Sequence, residues 1–399
     1  MDIHSTKTYW PIKNSFDKSY ASLDTTITSE ILIIGGGITG ALIAYKLISE
    51  GKEVTLVDKR DICNGSTAAS TAMLQYEIDI PLHQLIEQRG LTCAVSSYKS
   101  CEKAIFELEK IVKTIKSDCQ FELKKSVYFT SSKKDIDFLQ KEYEARKEHG
   151  FSVKWLEKEE LKNLGLTALA AIESESAAVL DPYRFAIDLL NYCHKKGLKI
   201  FDRTNIVKIK NNKEQFILQT DKDFSIHAKD VIHCTGYEST ENLSQKVVDL
   251  KSTYAIISEA LPETVKAFKN HIYWDTSSPY FYFRATKDGR ILMGGGDQDF
   301  KNAKKRDVLL SRKEKFLIKN FKKCFPDINF KLDYSWAGTF GETKDGLPYF
   351  GKPDGYKNEH YILGFGGNGI TFSVLGMDVV LDSLNNDPNP FLEYYKFDR

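Results

Sequence analysis

The most regular hydrophobic pattern of the chain lies in residues 31–58. Four consecutive apolar residues, Ile31–Ile34, predict a buried strand. A glycine-rich turn follows, and the apolar stretch after it predicts a helix that ends near Glu50. The segment Glu53–Val57 predicts a second buried strand, which Asp58 follows directly. This order of strand, turn, helix and strand is typical of a parallel α/β unit.

Charged segments with helical spacing follow this unit. Residues 82–118 and 133–149 carry apolar positions at helical intervals among many charges, which predicts helices with solvated faces in an inserted domain. Asp181 followed by Pro182 predicts another helix start, because Asp accepts hydrogen bonds from free N–H groups and Pro suits the first turn. We expect that helix to end near Lys196.

A strand with an unusual polar face is predicted at Tyr280–Ala285. Successive strand residues point to opposite faces, so Tyr280, Tyr282 and Arg284 share one face. This pattern suits the floor of a pocket for a polar or anionic substrate, and a solvent-exposed sheet face gives the same pattern. Other short strands are predicted at Ser126–Thr130, Lys199–Phe201, Asn205–Ile209, Thr253–Ser258 and Arg290–Gly294.

The C-terminal part contains a second glycine-rich connection. The sequence HYILGFGGNGITFSVLGMDVVLDSL predicts a strand, a loop at Gly364–Gly369 and then an apolar helix. A helix N-terminus offers free N–H groups and the positive end of its dipole. Such an N-terminus stabilises negative charge on a group that lies next to it.

Composition narrows the class of protein. The 399 residues are too many for one small core, so two interleaved domains are expected. The 56 Lys and Arg nearly balance the 55 Asp and Glu, and a net charge of +1 favours neither nucleic acid nor an acidic membrane surface. The apolar runs fall far short of the roughly 20 residues of a transmembrane helix. No apolar signal core begins the chain, so export is not expected.

Cysteine usage adds a prediction about location. The seven cysteines are scattered, with no Cys-x-x-Cys pair. This pattern predicts neither a disulfide framework nor a zinc site, so we expect no metal, reduced thiols and a cytoplasmic location.

The glycine-rich turn after Ile34 has the spacing Gly35-x-Gly37-x-x-Gly40. In a strand–turn–helix–strand unit this spacing holds the pyrophosphate of a dinucleotide. The first glycine allows a tight turn, the second lets the backbone approach the phosphates, and the third lets the helix lie close to the strand. Asp58 is placed to accept hydrogen bonds from the adenosine ribose. The motif alone does not distinguish FAD from NAD.

Two further segments bear on the cofactor. Asp61–Tyr76 is rich in small and hydroxyl side chains, which suits a loop that binds phosphate and polyol, although a flexible loop has the same composition. Asp230–Tyr237 predicts a short strand that ends in Thr235-Gly236. A plain NAD dehydrogenase does not need such a strand after an inserted domain, so this segment favours FAD.

Together these segments resemble the D-amino-acid oxidase superfamily of FAD-dependent oxidoreductases, and most of all its glycine oxidase, sarcosine oxidase and γ-glutamylputrescine oxidase branch. The resemblance covers roughly residues 25–385 and rests on four blocks in the family's order: IIGGGITG with Asp58, NGSTAAST, VIHCTGY, and WAG…KDGLPYFG followed by GFGGNGIT. It implies an α/β fold in which a doubly wound, Rossmann-like FAD-binding domain is interleaved with an α+β substrate domain on a large mixed sheet.

The resemblance also implies roles for individual residues. Tyr282 falls where related proteins place a tyrosine of the substrate pocket. The residues implied in FAD binding follow the chain from the phosphate end to the flavin edge: Gly35, Gly37, Ile38, Thr39, Gly40, Asp58, Lys59, Ser66, Thr67, Thr71, Val207, Thr235, Gly236, Gly367, Asn368, Gly369 and Ile370.

The chain departs from the family pattern at the substrate. Related amino-acid oxidases carry an arginine shortly after WAG that binds the substrate carboxylate, and Thr339-Phe340 stand there in this chain. Arg284 is the predicted replacement, since a guanidinium gives two parallel N–H bonds to a carboxylate. The cysteine that attaches flavin covalently and the lysine that helps oxygen react are missing from the matching stretches, so non-covalent FAD is expected.

The resulting prediction is an FAD-dependent oxidoreductase that oxidises the C–N bond of an amino acid or a primary or secondary amine. Hydride passes to flavin N5, the imine hydrolyses, and oxygen or a quinone accepts the electrons. The alternatives are oxidation of a 2-hydroxy acid or polyol phosphate, and a flavin-binding protein without turnover. The FAD domain is predicted at 25–76, 175–250 and 335–385, the substrate domain at 77–174 and 251–334, and terminal arms at 1–24 and 386–399. A monomer and a homo-oligomer are both compatible with the sequence.

Overall fold

The computed structural model describes residues 2–5, 7–15, 18–212, 215–241, 243, 245–261, 265–353 and 358–399. The strands are β1 (Ile27–Ile34), β2 (Val54–Val57), β3 (Met73–Gln75), β4 (Glu122–Thr130), β5 (Val153–Glu157), β6 (Ala170–Val179), β7 (Lys199–Phe201), β8 (Ile206–Asn211), β9 (Phe216–Thr220), β10 (Ser225–His233), β11 (Asp249–Ser258), β12 (His271–Asp275), β13 (Phe281–Ala285), β14 (Ile291–Asp299), β15 (Leu332–Glu342), β16 (Tyr349–Gly351) and β17 (Glu359–Leu363).

The helices are α1 (Tyr9–Asn14), α2 (Ile38–Ser49), α3 (Ser66–Ala69), α4 (Leu82–Arg89), α5 (Leu91–Ile115), α6 (Ile136–Glu148), α7 (Lys158–Asn163), α8 (Pro182–Lys195), α9 (Ala303–Val308), α10 (Leu310–Cys324), α11 (Gly369–Asn385) and α12 (Pro390–Tyr394). The helix start predicted at Asp181 is confirmed, because its Oδ1 accepts a hydrogen bond from the Arg184 N–H at 3.0 Å.

The first sheet runs in the order β16-β17-β10-β1-β2-β7, and β9 and β8 extend it from β10. Its central strands β17, β10, β1, β2 and β7 are parallel. Ile31 and Ile33 of β1 belong to the apolar cluster that also contains the inner faces of α2, α8 and α11, whereas Leu32 packs with Phe216 and Val231 on the other side. A parallel sheet buried on both faces explains the continuous apolar runs of these strands.

The second sheet runs in the order β15-β11-β14-β13-β12-β4-β6-β3, with β5 paired to β6. It is mixed: β12 and β4 are parallel, and β11 is antiparallel to both β14 and β15. Phe281 and Phe283 of β13 face an aromatic cluster with α10, as the alternation along this strand predicts. The predicted α/β fold with a large mixed sheet is confirmed.

Sheet membership differs from the predicted ranges at four boundaries, including the one at residue 250, which β11 crosses. Strand β15 belongs to the mixed sheet, although the prediction assigns residues 335–385 to the FAD domain. Strand β6 crosses the boundary at residue 175, and β3 also joins the mixed sheet. Sequence patterns locate these strands but do not show which sheet accepts their hydrogen bonds.

The terminal segments, which are predicted as arms, pack onto the rest of the molecule through their aromatic residues. Trp10 of α1 is 1% exposed and donates from Nε1 to the Ser70 carbonyl at 2.6 Å. Near the other end, Tyr395 is fully buried and donates to Ser97 Oγ at 2.9 Å. Large aromatic side chains in these otherwise polar segments pack against apolar surface of the domains. The composition of the segments does not show this packing.

A buried ion cluster ties the mixed sheet to the helices beside it. Arg146 of α6 donates from Nε to Glu142 at 2.7 Å and from Nη1 to Glu77 at 3.1 Å. Glu142 also accepts the Leu82 N–H at 3.0 Å, and Glu77 accepts from Ser174 Oγ at 2.9 Å. The cluster matters for the site described below because Glu77 lies in the connection that follows β3.

Replacing Arg146 by Met should destabilise the protein by about 3–5 kcal/mol, because two buried carboxylates lose their cation. The midpoint of urea unfolding, followed by far-ultraviolet circular dichroism, measures this. Arg312→Met is the matched control, since Arg312 is exposed on α10 and its replacement should change stability by less than about 0.5 kcal/mol. Equal midpoints for the two variants would show that the buried cluster contributes nothing to stability.

Candidate active site

The glycine turn between β1 and α2 packs too closely for any larger residue at two of its positions. Gly35 has φ +112°, and a Cβ there would lie 2.4 Å from the Cys234 carbonyl oxygen. A Cβ on Gly40 would lie 1.9 Å from the Gly35 carbonyl oxygen. The turn therefore lies directly against the end of β10, and α2 begins beside it, so that the positive end of the helix dipole lies at the turn.

Asp58, at the end of β2, holds this turn in place. Its Oδ2 accepts the Gly36 N–H at 2.7 Å, and its Oδ1 accepts the Arg60 N–H at 2.8 Å. Burial raises the pKa of Asp58 to about 6, although both backbone hydrogen bonds lower it. The carboxylate predicted to bind ribose thus also fixes the backbone beside the pyrophosphate position.

Glu238 joins the ends of β2 and β10 and was not predicted. Its Oε1 lies 2.7 Å from Lys59 Nζ, and Arg60 donates to both of its oxygens at 2.8 and 2.9 Å. These hydrogen bonds outweigh burial and lower the pKa of Glu238 to about 2. The available signal was an acidic residue two positions after Gly236, opposite two basic residues that follow Asp58.

The loop after β2 is anchored. Thr67 Oγ1 accepts the Ile38 N–H at 2.9 Å, so the loop contacts the first residue of α2. The Ala69 carbonyl accepts from Trp336 Nε1 at 2.8 Å. The hydrogen bond from Trp10 to Ser70 anchors the same loop. These contacts favour a binding loop at Asp61–Tyr76 rather than a flexible one.

The far end of the site is built on the N-terminus of α11. The Gly367 N–H donates to Asp79 Oδ2 at 2.9 Å, and Tyr280 donates its hydroxyl to Asp79 Oδ1 at 3.3 Å. Asn368 Nδ2 donates to the Gln75 carbonyl at 3.0 Å. Burial raises the pKa of Asp79. This end therefore combines the positive end of a helix with a half-buried carboxyl group.

An aromatic wall stands next to it. The ring centroids of Tyr280 and Tyr282 are 5.9 Å apart, and those of Trp274 and Tyr280 are 6.5 Å apart. Tyr282 lies against Gly294 of the neighbouring strand, where a Cβ would come within 2.2 Å of its hydroxyl. Gly294 thus makes room for the Tyr282 ring. The structure therefore favours the pocket over a solvent-exposed sheet face at Tyr280 and Tyr282.

A single cavity of about 650 Å³ connects the two ends. Every residue predicted to bind FAD lines it except Gly40, which instead sets the packing of α2 on β1. Tyr282 also lines the cavity. Its walls follow one path from Asp58 and Val207, past the glycine turn and Thr67, to Gly369. An elongated cavity that has a phosphate-type turn towards one end and an aromatic wall at the other fits a dinucleotide.

Arg284 does not reach this cavity, and its predicted place in the substrate site is corrected. The side chain is 2% exposed, and its Nη2 donates to the Leu180 carbonyl at 3.0 Å. The guanidinium lies 5.3 Å from the Trp10 ring centroid. Arg284 follows Tyr282 on the same strand face, but α1 covers that part of the face. Burial lowers the pKa of Arg284 to about 10.

Two acidic residues of the cavity, Asp79 and Asp297, were missed by sequence reasoning. Asp297 lies in β14 directly after three consecutive glycines, and burial raises its pKa to about 7. An acidic residue after a glycine run in a strand was the only available signal. Among the described residues no group of three His, Cys, Asp or Glu side chains suits a metal ion, and no helix there is long and apolar enough to cross a membrane.

Two sheets that share a cavity with a dinucleotide turn at one end and an aromatic wall at the other define a two-domain oxidoreductase that uses a dinucleotide cofactor. A model of the FAD-dependent oxidoreductase family DAO matches residues 30–380. The chain therefore belongs to the DAO family of FAD-dependent oxidoreductases, and FAD is its cofactor.

Relatives agree with this assignment. The chain is 23% identical to γ-glutamylputrescine oxidoreductase of Escherichia coli (strain K12), covering 100% of this chain and 94% of that protein. It is 23% identical to glycine oxidase of Bacillus subtilis (strain 168), covering 93% and 97%. The crystal structure of glycine oxidase from Geobacillus kaustophilus superimposes with a TM-score of 0.73 at 19% identity, covering 91% and 96%, which shows the same fold.

Gly37→Val should abolish FAD binding, because a Cβ at this position already lies 3.1 Å from Thr67 Oγ1 and a branched side chain would fill the phosphate approach. We expect FAD content, measured as the 450 nm to 280 nm absorbance ratio, below about a tenth of the wild-type value. Ser49→Val adds the same side chain at the exposed end of α2 and should keep its FAD. A yellow Gly37→Val protein would contradict the assignment of the turn.

Non-covalent FAD should be released completely when the protein is precipitated with trichloroacetic acid. Of the seven cysteines, all described by the structure, Cys234 alone lines the cavity, and it lies beside Gly35 at the phosphate end. Absorbance of the supernatant and the pellet measures the release. A pellet that stays yellow would show a covalent bond to the flavin.

Proposed function

We propose that this protein oxidises the C–N bond of an amine or amino acid with FAD as the hydride acceptor. The observation that carries the proposal is the single cavity in which the dinucleotide turn and the aromatic, carboxylate-bearing end meet. Two relatives named for their reactions with γ-glutamylputrescine and glycine support the same class of substrate. Both substrates contain an amine whose neighbouring carbon carries hydrogen.

The residues that would hold FAD follow the cavity. Gly35 and Gly37 would leave room for the pyrophosphate and Asp58 would accept hydrogen bonds from the ribose, while Thr67 holds the turn in place. The N-terminus of α11 at Gly369 favours negative charge in the part of the cavity next to it. When bound, FAD supplies the acceptor for the hydride that leaves the carbon next to nitrogen.

The chain's own side chains bind and orient the substrate. Tyr280, Tyr282 and Trp274 present apolar ring faces that exclude water from the reacting end and position the carbon chain. The reacting amine must be neutral to release hydride, so its ammonium form gives its proton to solvent water before the amine reacts. No histidine of the described residues at this end is needed as a base, since the histidine that lines the cavity, His233, belongs to β10 at the other end.

Oxidation of a polyol phosphate fits the cavity less well. A phosphate needs positive side chains around it. Among the described residues that line the cavity, the basic side chains are Lys59 and Arg60, and both pair with Glu238 at the adenosine end. The reacting end instead carries Asp79 and Asp297, which repel a phosphate.

Anaerobic addition of substrates to the purified yellow protein tests the proposal. Primary or secondary amines or amino acids should bleach the 450 nm absorbance, and 2-hydroxy acids and glycerol 3-phosphate should not. Bleaching by a hydroxy compound alone would replace the proposed reaction by alcohol oxidation. Bleaching by none of a broad panel, in a protein that dithionite still reduces, would favour a flavin protein without turnover. Repeating the panel in air and with a quinone identifies the electron acceptor.

A further inference from the structure

Asp297 is a half-buried aspartate at the reacting end, and none of the ion pairs among the described residues includes it. It lines the cavity, and its Oδ1 has no hydrogen-bond partner among the described residues. Burial raises the pKa of Asp297, the nearby carboxylates of Glu342 in β15 and Asp79 raise it further, and Thr253 and Lys313 lower it. A half-buried carboxylate in such surroundings is costly unless a cation accompanies it.

The protein's nearest cation does not fill this role. Lys313 of α10 faces Asp297, but its Nζ donates to the Gly296 carbonyl and lies 5.0 Å from the Tyr254 ring centroid. No ion pair joins Lys313 and Asp297 within 4.0 Å among the described residues, and Lys313 does not line the cavity. The charge that would balance Asp297 is therefore expected to come from a ligand.

The aromatic wall adds a second, independent observation. Tyr280, Tyr282 and Trp274 line the same end of the cavity and present ring faces and edges around it. Aromatic faces attract alkylammonium groups, and they do so most strongly where water is excluded. The Tyr280 hydroxyl is already engaged with Asp79, which leaves the ring available for contact.

We infer that this end of the cavity binds an alkylammonium group through Asp297 and the aromatic wall, so that the substrate carries a second, non-reacting ammonium rather than a carboxylate. The inference rests on the proposed amine oxidation and narrows its substrates to basic amines such as α,ω-diamines. Asp297 determines specificity and takes no part in the bond-breaking step. Among the described residues, no Lys or Arg lines this end of the cavity. The cation that usually binds a substrate carboxylate is therefore missing.

Binding of two ligands of the same shape and opposite charge tests this directly. tert-Butylamine and pivalate share a tert-butyl group, and neither has hydrogen on the carbon that bears the charged group, so neither is oxidised. Titration of the holoenzyme, followed by flavin absorbance and calorimetry, should show tert-butylammonium binding at least about tenfold more tightly than pivalate. Equal affinities, or tighter binding of pivalate, would overturn the inference whether or not amines bleach the flavin.

Variants of two aspartates on β14 separate charge recognition from folding. Asp297→Asn keeps the size of the side chain and should weaken tert-butylammonium about tenfold while retaining FAD. Asp299→Asn is the matched control, because Asp299 is exposed and pairs with Lys251 outside the cavity, and it should bind as the wild type does. Unchanged affinity in Asp297→Asn would overturn the inference.

The pH dependence of binding gives a further measurement. Asp297 is neutral below its pKa of about 7 and charged above it, whereas an alkylammonium stays charged to about pH 10. Affinity for tert-butylammonium should therefore rise about tenfold from pH 6 to pH 8, and this rise should be absent in Asp297→Asn. Asp79, Glu342, Lys313, Tyr280 and Tyr282 face the same region, so a rise that persists in Asp297→Asn would assign it to one of them and contradict the inference.

Flavin reduction then separates the inference from the proposed function. Diamines of three to five carbons should reduce the flavin at least about tenfold more efficiently than monoamines of equal length or 4-aminobutanoate, and Asp297→Asn should remove that preference by lowering the efficiency with diamines most. If all amines reduce the flavin equally well, the proposed function stands and the inference fails. An equal loss for all substrates in Asp297→Asn would indicate proton transfer instead of charge recognition.

Discussion

The site depends on the close contact between the glycine turn and the ends of two strands. Gly35 lies so near the Cys234 carbonyl that a single added carbon would come within 2.4 Å of it. A carbon added to Gly40 would come within 1.9 Å of the Gly35 carbonyl oxygen, so the start of α2 packs directly on the turn that follows β1. Because β1 and β10 are parallel, their carboxyl ends meet at one edge, and the turn opens the cavity there. Larger residues at these positions would close the phosphate end.

The reacting end is built differently, from parts that meet only in the folded molecule. β13 contributes Tyr282, the connection after β3 contributes Asp79, and β14 contributes Asp297. The N-terminus of α11 completes this end. Hydrogen bonds from Gly367 and Tyr280 to Asp79 join the helix start to the aromatic wall. Electrostatically the result is an acidic end beside a helix dipole, and the basic residues Lys59 and Arg60 lie at the opposite end.

The N-terminal segment has a structural role in setting the limits of the site. Trp10 packs against the guanidinium of Arg284 and hydrogen-bonds to Ser70, so one side chain covers the end of β13 and also holds the cofactor loop. This placement keeps a buried arginine out of the cavity. The charge of the reacting end is therefore negative, although strand alternation alone would have placed a positive group in it.

The sequence by itself determined the elements whose signals are local. The spacing of Gly35, Gly37 and Gly40 between a buried strand and a helix, with Asp58 after the next strand, depends on neighbouring residues only, and the structure has these elements as predicted. Tertiary structure alone decided which of Tyr282 and Arg284 faces the cavity, because Trp10 covers one of the two positions. It also decided that Asp79 and Asp297 share that cavity, because contacts between distant segments leave no periodic pattern along the chain.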